Sequence, residues 1–198
     1  MGIQTDLILF HPYDHWGFLD LSREECLVYL DYLLRRFPAI PELRWSMANE
    51  YDLIPTRSEE DWYAIEEFIA AHDSWHHLLS CHNCFSFYDF KRPNITHCSV
   101  QTVQVESAAN WQKEYGKPVV YDECCYEGNL PQPWGNISGF EMVNRFWIAG
   151  IQGAYTTHGE VFLDENDILW WAKGGVLKGK SPARITFFKE FMYAKNPL

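Results

Sequence analysis

The chain has 198 residues, of which 47% are hydrophobic and 17% aromatic, and its formal net charge is −11. This composition excludes disorder and fibrous structure, and the negative charge opposes binding to phosphate backbones, so no nucleic-acid partner is expected. No apolar run reaches the roughly 18 residues of a membrane span. The first residues lack the basic region of a secretory signal, so we expect a cytoplasmic protein with no membrane partner. The length predicts one domain over residues 1–198.

Short apolar strands alternate with capped amphipathic helices along the chain. Strands are predicted at residues 7–10, 43–48, 78–81, 95–100, 118–122 and 153–157. Helices are predicted to begin at the capping boxes of Ser22 and Ser58, near Ala108, after Ser138 and at Ser181. Alternation with a strand about every 20 to 35 residues is typical of parallel βαβ units.

Parallel strands of this kind form either an open doubly wound sheet or a (β/α)8 barrel. The glycine-rich phosphate loops of nucleotide-binding open sheets do not occur in the sequence. Polar side chains instead follow the strands one after another, namely His11, Asn49, Glu50, His82, Asn83, Gln101, Glu123 and His158. Because strand ends of a barrel meet at one mouth, we predict an α/β fold of the (β/α)8 TIM-barrel type. Six strands cannot close eight-strand geometry, so the barrel is expected to be incomplete.

Two of these strands end in a glutamate. Glu50 follows the second strand and Glu123 the fifth, and by the alternation of a strand Glu50 shares a face with the small residues Ser46 and Ala48. Two carboxylates at one barrel mouth are the apparatus of glycoside hydrolysis, in which one donates a proton and the other acts as nucleophile or base. The residues alone leave open whether the anomeric configuration is retained or inverted.

Two strands and one loop carry a resemblance to a known family. The runs are Trp45-Ser46-Met47-Ala48-Asn49-Glu50, Lys117-Pro118-Val119-Val120-Tyr121-Asp122-Glu123 and Cys124-Cys125-Tyr126-Glu127-Gly128. They resemble strand four, strand seven and the following E-x-x-Y-E-G stretch of clan A retaining glycoside hydrolases, the cellulase-like superfamily, in its endoglucanase or apiosidase-like branch. The resemblance makes the six strands here strands three to eight, with the first two β/α units absent.

The resemblance implies a retaining double displacement on O-glycosidic bonds of a plant-type or other polysaccharide or oligosaccharide. Glu50 would be the acid/base, Glu123 the nucleophile, and Asn49 a donor to the sugar hydroxyl beside the reacting carbon. Neither a cofactor nor a metal is expected. The clan usually has a tyrosine after strand six, where Gln101 stands here, and a tryptophan after strand eight, where His158 stands. Cellulose is therefore not the expected substrate.

Further side chains are expected to bind the carbohydrate substrate. They are His11, Tyr13, Trp16, His82, Gln101, Glu127, His158 and Trp170. The loop after the first strand combines polar and aromatic side chains, which suits hydrogen bonding and stacking against a sugar. Alternatively, Glu127 contacts other residues of the site and does not touch the substrate.

Alternative readings remain open. A metal-dependent barrel hydrolase would usually carry His-x-His on its first strand, which does not occur, and Pro12 argues against a helix that would join His11 to His15. Cys81 and Cys84 have C-x-x-C spacing without a second pair, which favours a role as small apolar core residues over a metal site.

An inactive barrel fragment could bind carbohydrate or a partner protein. Exposed edge strands would favour either a fragment of a longer enzyme or a homo-oligomer that covers them.

Overall fold

A computed structural model describes residues 4–163 and 176–195 of the chain, in which strands and helices alternate. The elements are β1 Thr5–Phe10, α1 Arg23–Arg36, β2 Leu43–Ala48, α2 Glu59–His72, β3 Leu78–Ser80, β4 Cys98–Gln101, α3 Ala108–Tyr115, β5 Val119–Glu123, β6 Glu127–Gly128, α4 Gly139–Ile151, β7 Tyr155–Thr156, β8 Glu160–Val161 and α5 Pro182–Lys195. The six predicted strands are confirmed as β1 to β5 and β7. The sequence does not predict the two-residue strands β6 and β8.

The predicted helix starts are also confirmed. The Ser22 hydroxyl accepts from the backbone N–H of Glu25, and the Glu25 carboxylate accepts from the backbone N–H of Ser22, at 3.3 and 2.8 Å. Ser58 and Asp61 form the same reciprocal pair at the start of α2. These bonds satisfy backbone N–H groups that have no partner within the helix. The capping sequence alone therefore fixes where α1 and α2 begin.

The strands pair in parallel and bring their carboxyl ends to common edges. β1, β2 and β3 form one sheet in that order, with Phe10 opposite Ala48 and Ser46 opposite Ser80. A second sheet has the order β4-β5-β7, and β6 pairs with β8. Within residues 4–163 and 176–195, these strands form three separate sheets and do not close a barrel. The side chains that follow β1, β2 and β3 therefore share one edge.

Two compact units make up the fold. The first comprises Met1–Val100 with Tyr115–Pro118, and the second comprises Gln101–Glu114 with Val119–Leu198. In the first unit, the Phe10 ring of β1 meets Trp62 of α2 edge to face, with centroids 6.0 Å apart. Trp45 of β2 is buried, and its indole N–H donates to Asp73 at 3.1 Å. Burial of Phe10 and Trp45 thus stabilises the packing of β1 and β2 in this unit.

The second unit has its own apolar core. Tyr121 of β5 is fully buried, and its hydroxyl donates to the carbonyl of Val105 at 3.1 Å. On the other side, Phe188 of α5 packs edge to face on Trp147 of α4, with centroids 4.9 Å apart. None of the helices in the described part of the chain combines the length and the apolar character that a membrane span requires.

Candidate active site

Glu50, directly after β2 in the first unit, lies at the centre of a hydrogen-bonded group. The Tyr13 hydroxyl donates to Glu50 Oε2 at 2.6 Å, and Asn49 Nδ2 donates to the same oxygen at 3.3 Å. His82 Nδ1 lies 2.8 Å from Asn49 Oδ1. The loops and strand ends after β1, β2 and β3 each contribute a side chain, and the glutamate they surround is only 7% exposed.

Backbone hydrogen bonds continue the sheet just beyond the strand ends and hold these residues in place. Asn49 N donates to Phe10 O at 3.0 Å, and His82 N donates to Ala48 O at 3.1 Å. Glu50 then adopts a left-handed conformation with φ 48°. For a residue other than glycine this costs on the order of 1–2 kcal/mol, a strain found mainly at functional sites. The turn also means that strand alternation ends at Ala48 and does not determine the direction of the Glu50 side chain.

Asp52 ties the loop after β3 to the turn that carries the glutamate. Its carboxylate accepts from the backbone N–H groups of Cys84, Phe85 and Ser86 at 2.6, 2.7 and 2.8 Å. The Phe85 side chain is 83% exposed. Neither Asp52 nor Phe85 is among the site residues predicted from the sequence, although the polar run after β2 was a signal for Asp52. No local pattern marks Phe85.

His82 is a neutral histidine within this group. Burial lowers the pKa of His82 to about 4, although the carboxylates of Glu50 and Asp52 act in the opposite direction. Its Nε2 is buried and has no hydrogen-bond partner in the described part of the chain. The ring therefore binds through Nδ1 to Asn49 and stays uncharged at neutral pH.

The loop after β1 presents the other predicted sugar-binding residues of the first unit. Asp14 accepts from the backbone N–H groups of Trp16 and Leu19 at 2.9 and 3.1 Å, which fixes the loop. Trp16 is 79% exposed, and the ring centroid of His11 lies 6.4 Å from that of Tyr13. The loop thus brings Tyr13 to Glu50 and leaves the Trp16 indole open to solvent.

Glu123 is the last residue of β5, in the second unit. Trp134 Nε1 donates to Glu123 Oε2 at 3.3 Å. The backbone N–H of Thr102 donates to the Glu123 carbonyl at 3.0 Å. This bond places the end of β4, at Gln101, beside the end of β5, at Glu123. Trp134 and the end of β4 therefore position Glu123.

Glu127 is 4% exposed and lies beside the segment that leads into α5. It accepts from Lys180 N at 2.6 Å, from Ser181 N at 3.0 Å and from the Ser181 hydroxyl at 2.6 Å. Burial alone would raise the pKa of Glu127, but the hydrogen bonds from Ser181 and Lys180 outweigh burial and hold that pKa below its ordinary value. In this structure the carboxylate anchors the chain before α5.

His158 and Glu160 surround the same segment. His158 Nε2 lies 3.1 Å from the Ser181 hydroxyl, and Glu160 accepts from Lys178 N and Gly179 N at 2.6 and 2.8 Å. Ligand atoms of Glu127, His158 and Glu160 lie within 4.8 Å of one another, a spacing that a metal ion could bridge. Both carboxylates are already used by backbone N–H groups, so a metal would have to displace those bonds. Trp170 lies outside the described residues.

Comparison with known proteins gives a consistent family and fold. The family model described as "Apiosidase-like, catalytic domain" matches residues 12–174. No curated protein matches the chain. A crystal structure from Bacteroides vulgatus ATCC 8482, of a protein assigned as a glycoside hydrolase, is 38% identical with a TM-score of 0.93, and the match covers 98% of this chain and 39% of that one. The chain thus spans about two fifths of the length of that protein.

Two more distant structures agree in fold. A glycoside hydrolase family 5 protein from the same Bacteroides strain is 16% identical with a TM-score of 0.61, and the match covers 80% of this chain and 40% of that one. The endo-β-1,4-mannanase from Thermotoga petrophila is 14% identical with a TM-score of 0.64, with 100% and 60% covered. The predicted fold class is confirmed: an α/β fold of the TIM-barrel type, incomplete within the described residues.

Proposed function

This chain belongs to the family of apiosidase-like catalytic domains, and we propose that it hydrolyses O-glycosidic bonds by a retaining double displacement. The substrate class is a polysaccharide or oligosaccharide, of the plant type or of another type. The observation that carries the proposal is the setting of Glu50: a mostly buried glutamate, in a strained backbone conformation, held by Tyr13 and Asn49 at the carboxyl edge of parallel strands. A carboxyl group fixed in this way suits directed proton transfer.

In the first step of the proposed reaction, the Glu123 carboxylate attacks the anomeric carbon and the bond from that carbon to the leaving oxygen breaks. The leaving oxygen takes the proton of Glu50, and a covalent glycosyl ester forms on Glu123. The hydrogen bond from Trp134 supports this role, because an indole N–H orients a carboxylate without neutralising it.

In the second step, the Glu50 carboxylate takes a proton from water, and the resulting hydroxide oxygen bonds to the anomeric carbon. The ester bond to Glu123 breaks, and the sugar leaves with its original configuration. Asn49 keeps one N–H beyond the one given to Glu50, and we assign it to a sugar hydroxyl. The exposed rings of Tyr13, Trp16 and Phe85 are suited to stacking against sugar faces.

Aryl glycosides test this proposal directly. Purified protein is assayed on p-nitrophenyl and 2,4-dinitrophenyl glycosides of mannose, glucose, xylose and apiose, together with the variants Glu50→Gln and Glu123→Gln. Glu50→Gln removes the acid and lowers turnover of substrates with poorer leaving groups by about 10²- to 10⁴-fold. The first step on dinitrophenyl substrates is unchanged, because their leaving group needs little protonation. Glu123→Gln removes turnover on all of them. The matched control Glu60→Gln, at an exposed position of α2, retains full activity.

Two results would contradict the proposal. Inverted configuration of the first product, seen by proton NMR, would replace the nucleophile with a base. Binding of the sugars by calorimetry with no turnover of any glycoside would instead favour an inactive carbohydrate-binding module.

A further inference from the structure

The amide of Asn49 has a defined orientation. Its Nδ2 faces Glu50 Oε2 at 3.3 Å, where only an N–H can meet a carboxylate, so Oδ1 is the atom that faces His82 Nδ1 at 2.8 Å. Because an amide oxygen only accepts, His82 Nδ1 must carry the hydrogen. The neutral ring then has a bare lone pair on Nε2.

The surroundings of Nε2 agree with this tautomer. That atom is buried and has no hydrogen-bond partner among residues 4–163 and 176–195. An N–H at this position would be a buried donor without an acceptor, which costs free energy, and the tautomer with hydrogen on Nδ1 avoids it. Burial also lowers the pKa of His82 to about 4, so the ring has no second proton at neutral pH.

Protonation of Glu50 makes the amide orientation matter. While Glu50 is ionised, its negative charge repels Asn49 Oδ1 and keeps Nδ2 turned toward it. Once Glu50 is protonated, this repulsion is gone, and a rotated amide would put Oδ1 within reach of the acid. The carboxylic proton would then be held in a hydrogen bond to Asn49 instead of being given to the leaving oxygen. The His82 Nδ1–H prevents the rotation, because a rotated amide would present N–H to N–H.

We propose that His82 is a positioning residue that keeps the proton of Glu50 available to the leaving group by holding Asn49 Oδ1. This proposal rests on the proposed function, in which Glu50 is the acid. Tyr13 and Asn49 both donate to Glu50 Oε2, so Asn49 is the link between His82 and the acid. His82 acts only through Asn49 and does not touch the reacting atoms.

The tautomer is measured first, on the protein itself. Nitrogen-15 NMR of selectively labelled histidine distinguishes a protonated from a bare ring nitrogen. We expect His82 to show a protonated Nδ1 and a bare Nε2 at pH 7, and Asn49→Ala to allow the other tautomer to form. A protonated Nε2 in the unmodified protein would overturn the proposal, and this measurement does not depend on any variant of His82 folding.

Kinetics then separate positioning from simple stability. His82→Leu removes the donor, and we expect kcat/KM to fall about tenfold on p-nitrophenyl glycosides, the worth of one ordinary hydrogen bond. On 2,4-dinitrophenyl glycosides, whose departure needs little protonation, the loss should be less than twofold. His82→Asn places an amide N–H near the former Nδ1 and should restore most of the activity.

His97 offers a matched control. It is a buried histidine in the same unit whose pKa burial also lowers to about 4, but its Nδ1 lies 2.9 Å from the Thr96 hydroxyl. His97→Asn should change kcat/KM by the same factor on p-nitrophenyl and on 2,4-dinitrophenyl glycosides. An equal loss on both in His82→Leu would overturn the positioning role, whereas an unmodified protein that turns over no glycoside would refute the proposed function. In that case the Nδ1–H tautomer would still hold.

Discussion

Two buried histidines of the first unit should make the protein less stable as the pH falls from 6.5 towards 4. Burial lowers the pKa of His82 and of His97 from 6.5 to about 4 in the folded state, and for His97 the Arg44 guanidinium adds to the effect. Below pH 6.5 the unfolded chain takes up a proton at each histidine, while the folded chain does not. Proton uptake therefore favours unfolding throughout this interval.

The size of the effect follows from the two pKa values. A fall in pKa from 6.5 to about 4 corresponds to about 3 kcal/mol of stability for each histidine. This stability is fully present well above pH 6.5 and is almost all lost at pH 4. Together the two amount to about 6 kcal/mol, comparable with the whole stability of many domains. The free energy of unfolding should thus fall by about 1.4 kcal/mol per pH unit for each histidine.

Urea titrations followed by tryptophan fluorescence at pH 7.5, 6.0, 5.0 and 4.5 measure this slope. In His97→Asn, the overall stability at pH 7.5 is lower because the contact with Thr96 changes, but the slope should be shallower by about 1.4 kcal/mol per pH unit. The exposed His15→Asn serves as the control and should leave the slope unchanged. An unchanged slope in His97→Asn would refute the reasoning, because the buried histidine would then not resist protonation.

Three other substitutions test the structural contacts. Glu127→Gln puts an amide where a carboxylate accepts N–H groups, so we expect the free energy of unfolding to fall by about 2–4 kcal/mol. Hydrogen exchange at amides 180 and 181 should become faster, and unchanged protection there would contradict the anchoring role. Asp52→Ala should make hydrogen exchange at amides 84–86 at least about tenfold faster. Unchanged exchange there would mean that Asp52 does not hold the loop. Ser22→Ala should cost about 1 kcal/mol in urea unfolding, and no loss would mean that the cap adds nothing to α1.

Local signals in the sequence were sufficient for most of the fold. β2 spans Leu43–Ala48 as predicted, and the serines at positions 22 and 58 begin helices through the predicted capping boxes. Both features depend on residues that lie within a few positions of one another. β6 and β8 could not be predicted, because each has two residues and forms only by pairing with the other, far along the chain.

Long-range partners also explain a buried charge that the sequence does not reveal. Glu66 is fully buried in α2, where its carboxylate accepts from the Tyr88 hydroxyl at 2.7 Å and from Arg92 Nε. Position 66 lies on the same face of α2 as Trp62 and Ile69, but a glutamate is seldom fully buried unless its charge is paired. Its partners lie more than twenty residues away and reach it only in the folded chain.

The candidate site was predictable in its residue types but not in its geometry. The polar ends of β1, β2 and β3 pointed to Tyr13, Asn49, Glu50 and His82, and the structure joins these four by hydrogen bonds. The left-handed turn at Glu50 was not predictable, because glutamate has no preference for it. The bonds of Glu127 to the backbone before α5 were equally hidden, since they join segments more than fifty residues apart.

Covalent trapping of Glu123 tests the central claim most directly. The protein is incubated with 2,4-dinitrophenyl 2-deoxy-2-fluoroglycosides of mannose, glucose and xylose, and the adduct is located by peptide mass spectrometry. The fluorine slows both steps, but the activated leaving group keeps the first step fast. The glycosyl ester should therefore accumulate. The account predicts one sugar per chain, attached to Glu123 and absent from Glu123→Gln. An adduct on another carboxylate, or steady turnover of the matching non-fluorinated glycosides to inverted product with no adduct, would contradict it.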